Sequence, residues 1–200
     1  MSKIDKFTQY KNRVEEKFKT ERVFTVYLDM DGVLTDFEED FKSIPNNTEN
    51  LSFDDYDKKH GKFSSWQIIG DEGLKWWSEM SWKNDGKELW NYLKKYDPTI
   101  LSAPSRDPLS AKGKVIWVNR ELGLDIKSAT RSPKDNRWDI DSKMILNSQK
   151  YMFSKRYPNS ILIDDTKKKI SDWRDSGGIG ILHTDTKSTI EKFEKITSNF

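Results

Sequence analysis

The stretch Val23 to Asp36, VFTVYLDMDGVLTD, constrains this 200-residue chain more than any other. Val23 to Leu28 are mostly apolar or β-branched, a length and composition that read as a buried strand. The run then stops on Asp29, Met30, Asp31 and Gly32. Two carboxylates two residues apart repel each other, and a buried carboxylate costs desolvation free energy unless it is paired or bound to a metal. Alone, such a stop reads as an acidic turn. Its meaning depends on what the rest of the chain brings to the same edge.

From Gly86 the pattern becomes regular. Leu89, Trp90 and Leu93 predict a helix over Lys87 to Lys95, ended by Asp97-Pro98, where proline cannot continue it. A strand over Thr99 to Ser102, a turn over Ala103 to Pro108 and a helix to about Leu122 follow, with Gly123 as the stop signal. Lys143 to Leu146 reads as a strand, with Asn147 or Ser148 capping a helix through Tyr151 and Phe153. Ile161 to Ile163 is a further buried strand, and it also ends on two acids, Asp164 and Asp165. A helix over Lys168 to Asp175, a Gly177-Gly178 break, a strand over Ile179 to Leu182 and a helix near Thr189 to Ile196 complete the chain.

Buried strands alternating with helices predict an α/β fold, a Rossmann-like parallel sheet with helices on both faces. Ligands of such sheets bind at the carboxyl ends of the strands. Asp29, Asp31, Ser102, Asp164 and Asp165 are therefore expected on one edge. Two segments stand apart from this pattern. Ile4 to Lys19 reads as a surface helix, and Phe37 to about Asp85 is rich in aromatics without strand-like alternation. The latter reads as a small helical insertion with its own core, dividing the chain into a core of residues 1–36 and 86–200 and a cap of residues 37–85. Asp125 to Asp141 is polar and irregular and reads as a long loop.

Composition excludes several alternatives. Without cysteine there is no disulfide, thiolate metal site or cysteine nucleophile. A net charge of +2 argues against a long nucleic-acid partner. No apolar run approaches a membrane span, and MSKIDKFTQYKNR lacks the apolar region of a signal peptide, so a soluble, cytoplasmic protein is expected.

Four carboxylates on one edge demand a cation, and oxygen-only donors favour Mg²⁺. An ionised Asp can attack phosphorus if the charges are screened, a second acid can protonate the leaving oxygen, and Ser102 offers a hydroxyl. These parts suffice to hydrolyse a phosphomonoester.

The segments DMDGVLTDFEEDF, ILSAPSRD, KVIWVNREL and ILIDDTKKKISDWRDSGGIGILH resemble the haloacid dehalogenase superfamily and, within it, the 5'(3')-deoxyribonucleotidases. The resemblance runs with gaps from about Val23 to His183. It implies that Asp29 is the nucleophile, becoming an aspartyl-phosphate, and that Asp31 is the general acid/base with its backbone carbonyl on Mg²⁺. Ser102 matches the second-motif hydroxyl, and Asp164 and Asp165 match the metal-binding acids. The family lysine matches Lys150, with Lys143 and Lys134 as alternatives. Phe37 and Trp77 match residues that stack on a base, and Trp66 matches less directly. The chain departs from the family in having Thr166 in place of an arginine and Ala103 in place of a polar residue. Arg106 is placed to substitute, so Phe37, Trp77, Ala103 and Arg106 are the residues expected on the substrate. The implied reaction is Mg²⁺-dependent hydrolysis of a small phosphomonoester, a nucleoside monophosphate. A polynucleotide 3'-phosphate or sugar phosphate, and a non-catalytic binding or regulatory protein, are the alternatives; retention of both Asp29 and Asp31 favours a phosphatase.

Overall fold

The computed structural model describes residues 23–105, 107–127, 143–157 and 159–200. Within them, β1 (Thr25–Leu28), β2 (Thr99–Ser102), β3 (Met144–Leu146), β4 (Ser160–Asp164) and β5 (Ile179–Leu182) form one sheet in the order β3-β2-β1-β4-β5, with every pairing parallel. The chain builds outward from β1 through β2 to β3, then crosses back to add β4 and β5 on the other side. The strand order thus reverses beside β1, which makes its carboxyl end the switch point where open α/β sheets bind ligands. Register aligns the loaded strand ends. Leu28 pairs with Ile163 on one side and Ile100 on the other, so Asp29 emerges beside Asp164, and Ser102 lies two residues beyond Ile100.

The helices are α1 (Phe37–Lys42), α2 (Phe53–His60), α3 (Ser64–Ser78), α4 (Gly86–Leu93), α5 (Pro108–Leu122), α6 (Lys167–Asp175) and α7 (Thr186–Thr197). Every residue of β1 and β4 is buried, which a sheet covered on both faces requires. Alternate side chains divide between the faces. Val26, Leu28, Ile100, Ile161 and Ile163 join a cluster with Leu89, Leu93, Trp117 and Phe193 of α4, α5 and α7. Tyr27, Leu101, Ile145 and Leu162 point the other way, onto Phe153, Ile170 and Trp173. Local chemistry sets the element ends. Asp107 caps α5, its Oδ1 accepting from the Leu109 N–H at 2.8 Å with Pro108 at the first helical position, and Gly123 ends the helix at φ 69°.

The segment between Thr35 and Trp82 leaves and returns at one point. Thr35 and Trp82 form an antiparallel bridge, the Asp36 N–H donates to Ser81 O at 3.0 Å, and the Lys83 N–H donates to Leu34 O at 2.8 Å. Its aromatics do not form a core of their own, contrary to the sequence expectation. Phe41, Tyr56, Trp76 and Trp77 belong to the same cluster as Leu28 and Trp117. The reason is the contact between α3 and α5, where a Cβ on Gly113 would lie 2.2 Å from Trp77 Cβ, so only glycine admits this approach.

Other elements differ from expectation for local reasons. Lys150–Phe153 is a single 3₁₀ turn where a helix was expected. Asn147 Oδ1 accepts from the Gln149 N–H at 2.7 Å, a local turn that competes with helix nucleation. Within the helical insertion, α3 is bent at Gly73 with φ 62° and ψ −139°. The last helix starts three residues early, at Thr186, because Asp185 Oδ1 caps it through the Ser188 N–H at 2.7 Å. The expected Ile4 to Lys19 helix and most of the Asp125 to Asp141 loop lie outside the described residues. Among those described, no helix is long and apolar enough to cross a membrane.

Asp57 fastens α2 to α3. Its Oδ1 accepts from the Ser65 N–H at 2.8 Å and the Ser64 hydroxyl at 3.3 Å, and its Oδ2 accepts from the Phe63 N–H at 3.0 Å. Lost hydration pushes the carboxyl up, but the bonds from Ser65, Phe63 and Ser64 outweigh it and hold the pKa below the ordinary value. A depressed carboxylate stabilises the fold above its unfolded pKa and ceases to do so as pH falls through the folded value. Asp57→Ala is expected to cost about 1 kcal/mol at neutral pH, as for loss of a helix cap. In thermal melts the gap between variant and parent should close below about pH 4, the ordinary range for Asp.

Candidate active site

Asp29 directly follows the last residue of β1 and so stands at the carboxyl edge of the sheet, with the fully buried Met30 between it and Asp31. The Met30 carbonyl then accepts from the Leu34 and Thr35 N–H groups at 2.8 and 2.9 Å, turning the chain away from the sheet. Gly32 makes that turn at φ 77°, and a Cβ there would lie 2.1 Å from Asp165 Oδ2. The glycine after the two acids is thus needed twice, for its backbone conformation and for the carboxylate packed against it.

Lys150, 2% exposed, lies between two of the acids, with Nζ 2.7 Å from Asp29 Oδ1 and 2.6 Å from Asp164 Oδ2. Asp29 is 6% exposed, and its Oδ1 also accepts from the Met30 N–H at 2.7 Å. Asp164 is fully buried, and its Oδ1 accepts from the Thr166 N–H at 2.8 Å. Burial pushes the Asp29 carboxyl up to about 8; Lys150 pulls it down, while Asp164 and Asp31 add to the rise. Burial acts in the opposite sense on Lys150, but Asp29 and Asp164 outweigh it and hold the ammonium above its usual range. The Asp165 carboxyl is raised by lost hydration and by the charge of Asp164. Of the sequence candidates among the described residues, Lys150 is the one brought to the acids. Lys143 pairs with Asp97, and Lys134 lies outside the described residues.

Carboxylate oxygens of Asp29, Asp164 and Asp165 lie within 4.8 Å of one another. The Asp31 carboxylate is not in that group; it turns to Lys114, a residue with no role assigned from sequence. Lys114 is 1% exposed, and its Nζ donates to Asp31 Oδ2, to Ser102 Oγ at 2.9 Å and to Ala103 O at 3.1 Å. A signal for it was present. Ser110, Gly113, Lys114, Trp117 and Val118 are the buried stripe of α5 at helical spacing, and a lysine on that stripe needs acceptors. Four acidic side chains outnumber the two buried ammonium groups here, and the donors are all oxygen. That set fits a hard divalent cation.

A cavity of about 320 Å³ opens over these groups, lined by Asp29, Asp31, Lys150 and Asp165 on the sheet side and by Phe37, Lys83 and Ala103 around them. Phe37 and Ala103 therefore lie where a bound molecule would touch them. Ser102 is fully buried beneath, against Lys114, and Arg106 lies outside the described residues. Trp77 is a correction. It does not line this cavity, is 1% exposed, donates Nε1–H to Asp107 Oδ2 at 2.6 Å and covers Lys114 Nζ at 5.4 Å from its ring. The approach of α3 to α5 turns it into the core. Trp66 is half-buried, 6.3 Å from the Phe37 ring centroid.

No protein-family model matches the chain, and no curated protein does. Solved structures similar to it include a hydrolase from Streptococcus pneumoniae TIGR4, with 10% identity, 88% of this chain and 100% of that one covered, and a TM-score of 0.49. Protein tyrosine kinase A of Mycobacterium tuberculosis follows at 13% identity, 80% and 82% coverage and a TM-score of 0.47. A third, a HAD family enzyme from Bacteroides thetaiotaomicron in complex with magnesium and inorganic phosphate, has 10% identity, 82% and 95% coverage and a TM-score of 0.40.

The arrangement defines what chemistry the edge can perform. Asp29 presents a carboxylate to the cavity, and Asp31 presents a second beside it. Lys150 has two carboxylate acceptors for its three N–H bonds and also lines the cavity, so one N–H remains for an anionic ligand. Two acidic side chains and an ammonium donor stand together around one space.

Proposed function

We propose that this chain is a Mg²⁺-dependent phosphomonoester hydrolase of the haloacid dehalogenase type, acting through phosphorylated Asp29 on nucleoside monophosphates. The observation that carries the reading is the placement of Asp29 at the switch point of the sheet. There it touches Lys150 and shares an oxygen cluster with Asp164 and Asp165 below a cavity. In this reading residues 37–85 are a cap over a core of residues 1–36 and 86–200.

An Asp29 oxygen attacks phosphorus, a new P–O bond forms, and the bond to the leaving oxygen breaks. Asp31 gives its proton to that oxygen, and the alcohol departs. Asp31, now a carboxylate, takes a proton from water as the water oxygen attacks phosphorus, which frees Asp29 and inorganic phosphate. Lys150 holds Asp29 in place and directs its remaining N–H to a phosphoryl oxygen. Asp29, Asp164 and Asp165, with the Asp31 carbonyl, would hold Mg²⁺, whose positive charge would screen the phosphoryl oxygens from the carboxylates.

Phe37 supports the nucleotide part of the reading. It lines the cavity and is backed by Phe53 and Trp76 at 5.6 and 5.9 Å between ring centroids, which supports its ring as a wall that a base could stack on. The test is phosphate release from nucleotides, end-phosphorylated oligonucleotides and sugar phosphates, with and without Mg²⁺. Nucleoside monophosphates should be hydrolysed only with the metal, and release from none of these compounds would overturn the enzyme reading. Phe37→Ala should raise KM for nucleotides roughly tenfold, the value of one base–aromatic stack, and leave KM for p-nitrophenyl phosphate unchanged. Equal effects on both would remove the base from this wall.

A further inference from the structure

Lys114 is a buried cation that the chemistry above leaves unused. An ammonium group has three N–H donors, and all three of its acceptors are protein atoms: Asp31 Oδ2, Ser102 Oγ and Ala103 O. At 1% exposure and away from the cavity lining, it has neither a free donor nor a path to a bound molecule. Lys150, which lines the cavity with two acceptors, is its opposite in both respects. The site thus holds two lysines with distinct geometries, one open to a ligand and one saturated by the protein.

Burying an ammonium costs several kcal/mol unless its partners are well placed, and here the surroundings are built to place them. Gly113 lets α3 approach α5, which lays the Trp77 ring over the Lys114 ammonium at 5.4 Å. Trp77 is itself held by the Asp107 carboxylate that caps α5. The chain Asp107–Trp77–Lys114 therefore ends on Asp31 and fixes that carboxylate, to whose Oδ1 the Thr35 hydroxyl also donates at 3.5 Å.

We propose that Lys114 is a positioning residue for Asp31: it holds the acid toward the leaving oxygen and stabilises the negative charge left on it when the proton departs. The inference rests on the phosphatase reading and deepens it. In the first step the P–O bond to Asp29 forms and the bond to the leaving oxygen breaks, while the proton moves from Asp31 to that oxygen. The carboxylate so produced meets a fixed ammonium, which requires no reorganisation at the moment of reaction. A leaving group that departs as a stable anion has little use for that proton, whereas an alkoxide needs it.

The test compares kcat/KM for an alkyl phosphate and for p-nitrophenyl phosphate in the full-length protein with Mg²⁺. Lys114→Met should lower the alkyl value by roughly 100-fold, the lower end of general-acid contributions, and the p-nitrophenyl value by much less. Lys114→Arg, which restores the charge, should recover part of the alkyl loss. Where Lys114→Met does not fold, Lys114→Gln keeps a donor, removes the charge and gives the same comparison. An equal fall for both esters, or none for either, overturns the inference. Absence of turnover by the unaltered protein overturns the phosphatase reading and this inference together; normal turnover with an unchanged ratio overturns this inference alone.

Discussion

Asp29→Asn should lower phosphate release by roughly 10⁴-fold or more, the scale of losing a covalent nucleophile, while the protein still folds. The amide has the shape of the carboxylate but cannot form an acyl phosphate. Folding should survive because the site already disfavours a charge at this position. Burial and the neighbouring Asp164 and Asp31 push the Asp29 carboxyl up to about 8 despite Lys150. Without a cation, the native state near neutral pH accommodates the protonated acid, which asparagine imitates. Melting of the cation-free variant should therefore occur at or above the parent's temperature. A folded Asp29→Asn variant that keeps turning over would remove Asp29 from the chemistry.

Lys150→Met should produce the largest loss of stability. The ammonium stands 2.7 Å from Asp29 and 2.6 Å from Asp164, all three groups being nearly or fully buried. Removing one partner of a buried ion pair leaves the others uncompensated, at a cost of about 3–5 kcal/mol. For a chain of this length that corresponds to a fall in melting temperature of roughly 10 °C. Activity should vanish with it, even at temperatures where the variant is folded, since the proposed contact to the phosphoryl group is gone. Adding Asp164→Asn to Lys150→Met should return part of the lost stability, because one of the orphaned charges is then removed. An unchanged melting temperature for Lys150→Met would mean that the two contacts contribute no net stabilisation.

The sheet and its acidic edge were legible because their signals are local. β1, β2 and β4 are apolar runs that stop on an acid or a hydroxyl, and parallel alternation leaves few ways to arrange such runs. Lys150 was reached through an element that does not form. A helix was expected after Asn147, and the chain makes a 3₁₀ turn that still carries the lysine to Asp29 and Asp164. Trp77 was misplaced for a different reason. The aromatics between Phe37 and Trp82 have no period that separates cavity from core, and the approach of α3 to α5 at Gly113 decides it. Lys114 could have been found from the buried stripe of α5, but a lysine names its acceptors only when the strands that supply them are in place. Asp31 and Ser102 are distant in sequence and meet only through β1 and β2.

The most direct measurement is acid quenching of the protein with Mg²⁺ and a nucleoside monophosphate during turnover, followed by mass spectrometry of its peptides. A phosphoryl group on the Asp29 carboxylate, absent from Asp29→Asn and from samples without Mg²⁺, is the predicted result. Steady turnover with no phosphoryl group on Asp29 at any quench time, or with the group on another residue, would contradict it.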